Sequence, residues 1–362
     1  MLRNFLKRPK SFPVSFETLK EEIDIKRGET ILSAGLDNGL VLPHGCRVGS
    51  CGNCRCRLVE GKVKALTDPS YILSAEELKS GYILTCQSQP RSALRIVYDD
   101  YDPDAAIISS SLVRGEVICS RNLTHDILEI KLKIDENIRY YAGQYAEVYF
   151  PSIDVKRSYS FAEAPKPGGK NELCFHIRHV PGGKMTDWLH GKDRTGEKVR
   201  VTAPFGTFWL RSTDRPILCV AGGSGMAPIK ALLEYALARG CVRPVTYFYG
   251  ARTQADLYCL EEMKELQSRW KASFKFIPVL SDEPSMNNWG GETGLVTDAV
   301  SAFDIRLDDH EAYLCGPPGM IDATIKLLGQ AGLGPENIYY DKFLDARDAP
   351  PTGNAEMPET NK

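Results

Sequence analysis

The sequence predicts a multidomain chain of three successive units: a small mixed unit wrapped around a cysteine loop, an antiparallel β-barrel, and an α/β doubly wound parallel sheet. Three observations carry that expectation. Five of the eleven cysteines fall between Cys46 and Cys86. From about residue 112 to 212, short strand-like runs are separated by Gly- and Pro-containing turns. From about 215 onward, apolar strands alternate with helical segments. At 362 residues the chain exceeds one ordinary core, and 43% apolar with 25% charged residues is a globular composition.

The first unit, residues 1–102, opens on a basic arm (Arg3, Lys7, Arg8, Lys10) read as a solvated terminus. Alternation in Phe12, Val14 and Phe16, then Ile23 and Ile25, predicts a hairpin. A helix is expected over 30–38, stopped by Gly39. After the loop at 43–54, a strand sets Cys56 and Leu58 on one face against Arg55 and Arg57 on the other, and a strand at 95–98 closes the unit. Residues 103–111, serine-rich after Pro103, have the chemistry of a linker.

The second unit, 112–212, is expected to hold strands at 115–118, 127–134, 146–150, 174–179 and 198–202, with a short helix at 185–189. The third, 213–347, alternates strands at 217–221, 245–249, 274–280, 313–315 and 338–343 with helices at 227–239, 258–270, 296–303 and 320–330. Residues 348–362 are rich in Pro, Glu and Asn, and are expected to be disordered.

Composition also excludes classes of function. No run approaches the roughly 20 apolar residues of a spanning helix, so membrane insertion is not expected. No apolar segment follows the basic arm as a secretory signal needs, which predicts a cytoplasmic protein. A net charge of −2, without a basic stripe, gives nucleic acid nothing to bind. The scattered Cys119, Cys174, Cys219, Cys241, Cys259 and Cys315 read as small buried hydrophobes of a reducing compartment.

The clustered cysteines need another explanation. Cys46, Cys51 and Cys54, followed by Cys86, have the plant-type [2Fe–2S] spacing. Three thiolates must converge from one loop and the fourth from a distant segment. Gly45, Gly49 and Gly52 let the loop wrap and aim its N–H groups at sulfur. A zinc site usually has two Cys/His pairs, and a single C-x2-C is present. Cys56, one strand position beyond, reads as structural.

Arg157, Ser158, Tyr159 and Ser160 follow Gly143, Gln144 and Tyr145. An arginine fork binds pyrophosphate bidentately, Tyr159 offers a face to an isoalloxazine ring, and Ser160 offers a hydroxyl near its N5. Taken alone, this run also fits a surface arginine and a packing tyrosine. Two further segments in order favour a flavin: His176, Ile177, Arg178 and His179, then Pro181 to Thr186, where glycines open a short helix able to hold a phosphate.

The strand at 217–221 runs into Gly222, Gly223, Ser224 and Gly225, with Pro228 in the first turn of the next helix. This strand, glycine turn and helix lets a dinucleotide pyrophosphate approach backbone N–H groups, although it departs from G-x-G-x-x-G. Arg252 ends the next strand where an adenosine ribose would lie, with Asp256 near enough to bond a ribose hydroxyl. Tyr313 to Met320 ends a later strand on the same edge.

In this order the segments resemble the reductase components of bacterial multicomponent oxygenases with a fused N-terminal ferredoxin, as in benzoate dioxygenase, phenol hydroxylase and soluble methane monooxygenase. The resemblance spans roughly residues 12–345. It implies a β-grasp [2Fe–2S] ferredoxin unit, an antiparallel barrel for FAD and an α/β unit for NADH, together ferredoxin–NADP reductase-like. It also implies an electron-transfer role in aromatic hydrocarbon catabolism. By resemblance, Arg157, Tyr159, Ser160, His176, Ile177, Arg178, Gly183, Lys184, Met185 and Thr186 would contact FAD. Gly222, Gly223, Ser224, Gly225, Arg252, Asp256, Cys315, Gly316 and Pro317 would line the NADH site. Ser160 and Cys315 would stand at the reacting atoms, with Phe343 as an aromatic beside the flavin, although a polar tail follows it here.

Electron counting then gives the order of the relay. NADH delivers two electrons as a hydride and the cluster accepts one at a time, so a flavin must sit between them. The expected recipient is an oxygenase hydroxylase component or a small ferredoxin. A desaturase or a deoxysugar dehydratase could take the same electrons, and a colourless zinc-binding scaffold is the remaining alternative.

Overall fold

A computed structural model describes residues 9–44, 47, 49, 52, 54–73, 75–99, 101, 110–284, 288–303 and 305–343. The first unit runs β1 (Ser11–Phe16), β2 (Glu21–Lys26), α1 (Ile31–Asp37), β3 (Arg55–Glu60), β4 (Val63–Ala65), α2 (Ala75–Lys79), β5 (Tyr82–Leu84), β6 (Ser88–Pro90) and β7 (Leu94–Val97). Its main sheet has the order β2-β1-β7-β3-β5, with β1 parallel to β7 and the other pairs antiparallel. The Thr30 hydroxyl starts α1 by accepting from the Ser33 amide at 3.2 Å, and Gly39, at φ +77°, ends it. Ile31, Leu32 and Ala34 then pack on Phe16, Ile25 and Ile96. Every residue of this core comes from the first unit.

The second unit is β8 (Ser111–Asn122), β9 (Ile127–Ile138), β10 (Tyr145–Phe150), β11 (Val155–Ser160), β12 (Lys170–Arg178), α3 (Lys184–Gly191) and β13 (Lys198–Phe205). These strands form an antiparallel sheet in the order β11-β10-β13-β8-β9-β12. A bridge between Phe161 and Phe175 closes its two edges into a barrel. The sequence reading had no strand at β11. Its three middle positions are exposed Lys156, Arg157 and Ser158, so no apolar alternation marks it.

The third unit is β14 (Ile217–Gly222), α4 (Met226–Ala238), β15 (Val245–Ala251), α5 (Leu260–Arg269), β16 (Phe274–Leu280), β17 (Glu292–Thr293), α6 (Val296–Ala302), β18 (Glu311–Gly316), α7 (Pro318–Gln330) and β19 (Ile338–Lys342). The sheet is parallel throughout, in the order β17-β16-β15-β14-β18-β19. Strand order reverses between β14 and β18, and a crevice at their carboxyl ends is where such sheets bind ligands. Helix α5 starts later than expected because Tyr258 is buried, with its hydroxyl on the Gly223 carbonyl, and Cys259 turns to φ +56°.

The barrel and the α/β sheet share a core, in which Ile127, Ala142 and Phe208 pack with Tyr247 and Tyr313. The expected linker lies outside the described residues except for Ser110 and Ser111, and Ser111 already belongs to β8. The basic arm before Pro9 and the polar tail after Phe343 also lie outside them. No helix of the described residues is long and apolar enough to cross a membrane.

Candidate functional site

Cys46 and Cys51 lie outside the described residues. Cys54 and Cys86 are described, and both are buried. Their segments are tied together, since Thr85 donates to the Cys54 carbonyl through its amide at 3.1 Å and its hydroxyl at 3.0 Å. The Gln87 amide group donates to the Arg47 carbonyl at 3.2 Å and reaches the Cys86 sulfur at 3.8 Å. Gly49 passes this side chain at φ +80°, where any Cβ would overlap Gln87. Cys56 sits in the core of the first unit, and burial pushes its thiol up, so it stays neutral.

At the seam between the barrel and the sheet, Ser160 ends β11 and donates to the Asp341 carboxylate at 3.2 Å. Asp341 pairs in register with Cys315 on β18. Although part of Asp341 reaches the surface, its carboxyl group is enclosed, and this desolvation pushes it up to about 7 against the opposing Ser160 hydrogen bond. The Cys315 thiol is fully buried and held protonated by desolvation and by the Asp341 charge. Phe343 follows β19, its amide bonded to the Gly316 carbonyl at 2.9 Å.

The Tyr159 hydroxyl, whose ring packs against the barrel core, and His176 Nδ1 are both buried without a partner among the described residues. Burial, with nearby Lys230 adding to it, pushes His176 down to about 3, so the ring is neutral. Such orphaned atoms fit a bound group that brings its own donors and acceptors. Arg157 is exposed, its guanidinium donating to the Lys156 carbonyl at 2.7 Å. Ile177 and Met185 point into the barrel core, which leaves main-chain contact as their route to a ligand. Lys184 is exposed, and the Thr186 hydroxyl is committed to the preceding turn, bonding the Val180 carbonyl at 2.9 Å. Gly183 caps α3, whose first amides carry no side-chain cap.

A second cleft, of about 240 Å³, opens at the carboxyl ends of the parallel strands. Gly222, Gly223, Arg252, Asp256 and Pro317 line it, joined by Arg178 and Asp126 from the barrel. Arg252 lies 3.4 Å from Asp126 and 3.2 Å from Asp256, while Arg178 donates to Asp126 at 3.1 Å. Burial raises Asp256, but bonds from Thr253 and the charge of Arg252 outweigh it and hold the carboxyl low. Ser224 and Gly225 are buried behind the cleft, where a side chain at Gly225 would overlap the Cys315 carbonyl. Gly316 is likewise packed on Gly222.

The larger cleft, about 550 Å³, lies elsewhere, between the first unit and the rest of the chain. Asp341 and Asp126 had no place in the sequence reading. An acid in the apolar run beside Phe343 was the available signal for Asp341. Asp126, in a loop between strands, gave none.

Models of known families match all three units: a 2Fe-2S iron-sulfur cluster binding domain over residues 16–91, an oxidoreductase FAD-binding domain over 114–209, and an oxidoreductase NAD-binding domain over 219–326. The xylene/toluene monooxygenase electron transfer component of Pseudomonas putida is 41% identical over 326 residues, which are 90% of this chain and 91% of that one. The reductase component of phenol 2-monooxygenase from a Pseudomonas species is 36% identical, covering 93% of this chain and 96% of its own. Among solved structures, an Amycolatopsis cytochrome P450 reductase superposes with a TM-score of 0.73 at 32% identity, over 92% of this chain and 98% of that one. A ferredoxin reductase of carbazole 1,9a-dioxygenase gives 0.67 at 29% identity, over the same shares.

Fold and site together define an oxidoreductase that joins NAD-, FAD- and [2Fe–2S]-binding units in one chain. It belongs to the family of electron-transfer reductase components of mono- and dioxygenases, in which electrons pass from the nicotinamide through FAD to the cluster.

Proposed function

We propose that this chain is an NADH-oxidising reductase of the cytoplasm whose cluster unit hands electrons to an oxygenase hydroxylase component, or to a small ferredoxin serving one. The convergence of Ser160, Asp341 and Cys315 beside the nucleotide cleft carries the reading. FAD, when bound, takes a pair of electrons as hydride and releases them singly to the cluster. Arg157 would bind its pyrophosphate, since the guanidinium is exposed and no ion pair to a carboxylate engages it among the described residues. Tyr159 and His176 would supply their unpartnered polar atoms, and the first amides of α3 would be available to a phosphate. Ser160, oriented by Asp341, would offer its hydroxyl at the reacting edge of the flavin, and Cys315, in register with Asp341, would support the nicotinamide. Cys46, Cys51, Cys54 and Cys86 hold the cluster, and the units divide near residues 102–112 and 212–213. The names of the relatives, monooxygenases of xylene and of phenol, support an oxygenase as the recipient.

The choice of NADH follows from charge. At the cleft Asp126 and Asp256 pair with Arg252, and Arg178 also meets Asp126, so both arginines are engaged by carboxylates that would face the adenosine ribose. They accept hydroxyl donors and repel a 2′-phosphate. Comparison of kcat/KM should favour NADH over NADPH by at least about tenfold, the scale of one misplaced like charge. Asp256→Ser should narrow that ratio. Equal values in the unaltered protein would mean that Arg252 recruits the phosphate.

A further inference from the structure

We propose that Arg55 and Tyr340 form the docking contact that seats the cluster unit against the flavin module, so that both are positioning residues for the flavin-to-cluster electron step. The inference rests on the reading above that Cys54 is a cluster ligand and Ser160 borders the flavin.

Arg55 is the residue after Cys54 and the first of β3. Its guanidinium donates to Glu77 at 2.9 Å and, from the same nitrogen, to the Tyr340 hydroxyl of β19 at 3.2 Å. The guanidinium carbon also stands 6.0 Å from the Tyr340 ring centre. Arg55 and Glu77 are each about three-quarters buried, their side chains 24% exposed, so the pair is shielded and the phenol is a third member of a partly desolvated group. Burial pushes the Tyr340 phenol up, and its hydroxyl stays protonated.

The next residue along β19 is Asp341, which accepts from Ser160. A short path therefore runs from Cys54 through its covalent neighbour Arg55, across to Tyr340, and through its covalent neighbour Asp341 to Ser160. It joins the two redox edges with two hydrogen bonds.

A cleft lines much of the rest of this boundary. The core of the cluster unit contains no residue of the other two units, whereas barrel and sheet share one. The 550 Å³ cleft separates Tyr82 and Tyr98 on one side from Trp209, Arg211 and Tyr339 on the other. No extensive packing between elements crosses this boundary among the described residues. A unit with its own core and sparse packing between elements across the boundary takes its orientation in part from polar contacts such as this one. Electron transfer falls steeply with separation, so a contact of this kind controls the rate.

The test uses the full chain as purified, with Tyr340→Phe and Arg55→Met as probes and Arg55→Lys as the conservative variant. Iron, sulfide and FAD contents, NADH–ferricyanide activity, the flavin-to-cluster rate after mixing with NADH, and the radius of gyration from small-angle scattering are measured on each. Tyr340→Phe should keep its cofactors and its ferricyanide activity, slow the flavin-to-cluster step by about tenfold, the effect of losing one charge-assisted hydrogen bond, and enlarge the radius of gyration. Arg55→Met should do the same and Arg55→Lys should recover part of the rate. If Arg55→Met disturbs the neighbouring Cys54 and loses iron, Tyr340→Phe alone decides. A fully loaded Tyr340→Phe protein with an unchanged electron-transfer rate overturns the proposal, and so does a slowed rate with unchanged scattering. Absence of iron or FAD from the unaltered chain would instead overturn the underlying site reading.

Discussion

At the scale of single residues, Asp341 carries the sharpest expectation. Its carboxyl is pushed up to about 7 by enclosure, so it changes charge near neutral pH. Hydride loss leaves a positive nicotinamide, which a nearby carboxylate stabilises in a site of low dielectric. The rate of flavin reduction by NADH should therefore rise as pH passes about 7, and Asp341→Asn should be slow and flat across that range. Stopped-flow mixing at several pH values checks this, and a pH step that survives in the Asn variant would assign it to another group. The stability linkage has the opposite sign. The raised carboxyl stabilises the fold below the ordinary carboxylate range, and that contribution is lost as pH rises through about 7. The cysteines give a second contrast. Cys86→Ser should remove or cripple the cluster, whereas Cys56→Ser, altering a neutral core thiol, should leave iron and sulfide content intact. A fully loaded Cys86→Ser protein would remove Cys86 from the ligand set.

Elements explain what the sequence made legible. Strands β14 and β18, with all six residues of each buried, announce themselves as apolar runs, and α1 is bounded by Thr30 and Gly39. The flavin motif was legible as residue types but not as a strand, because β11 exposes its middle and pairs through backbone bonds with β10. Asp126 was illegible for a different reason: its partners Arg178 and Arg252 lie 52 and 126 residues away, and tertiary folding alone brings them together. Close approach of elements is similarly hidden. Gly225 carries an ordinary helical φ of −61°, yet α4 meets the Cys315 carbonyl there without room for a methyl group. Gly225→Ala should thus destabilise the α/β unit by about 1–3 kcal/mol, the usual cost of overpacking. Thermal unfolding measures this, and an unchanged midpoint would show that α4 can shift away from β18 freely.

At the scale of the whole molecule, the division of cores sets the cluster unit apart from the rest of the chain. Barrel and sheet are joined by Ile127, Ala142 and Phe208 into one apolar body, while the cluster unit keeps its own core and touches the rest through polar contacts. The cluster half is also nearly balanced in charge, with fifteen Lys/Arg and thirteen Asp/Glu in residues 1–102. That suits a unit that reaches its reductase by tether rather than by electrostatic steering. Electrons pass from the nicotinamide through FAD to the cluster, and on the proposed site assignment they would enter at the parallel sheet and cross at the seam. The most direct test is a fragment starting near Ile107, loaded with FAD and compared with the full chain on two acceptors. It should fold and reduce ferricyanide with NADH at close to the full-chain rate, while losing most activity toward cytochrome c or an oxygenase component. Undiminished transfer to those protein acceptors would show that electrons bypass the cluster and would contradict the relay.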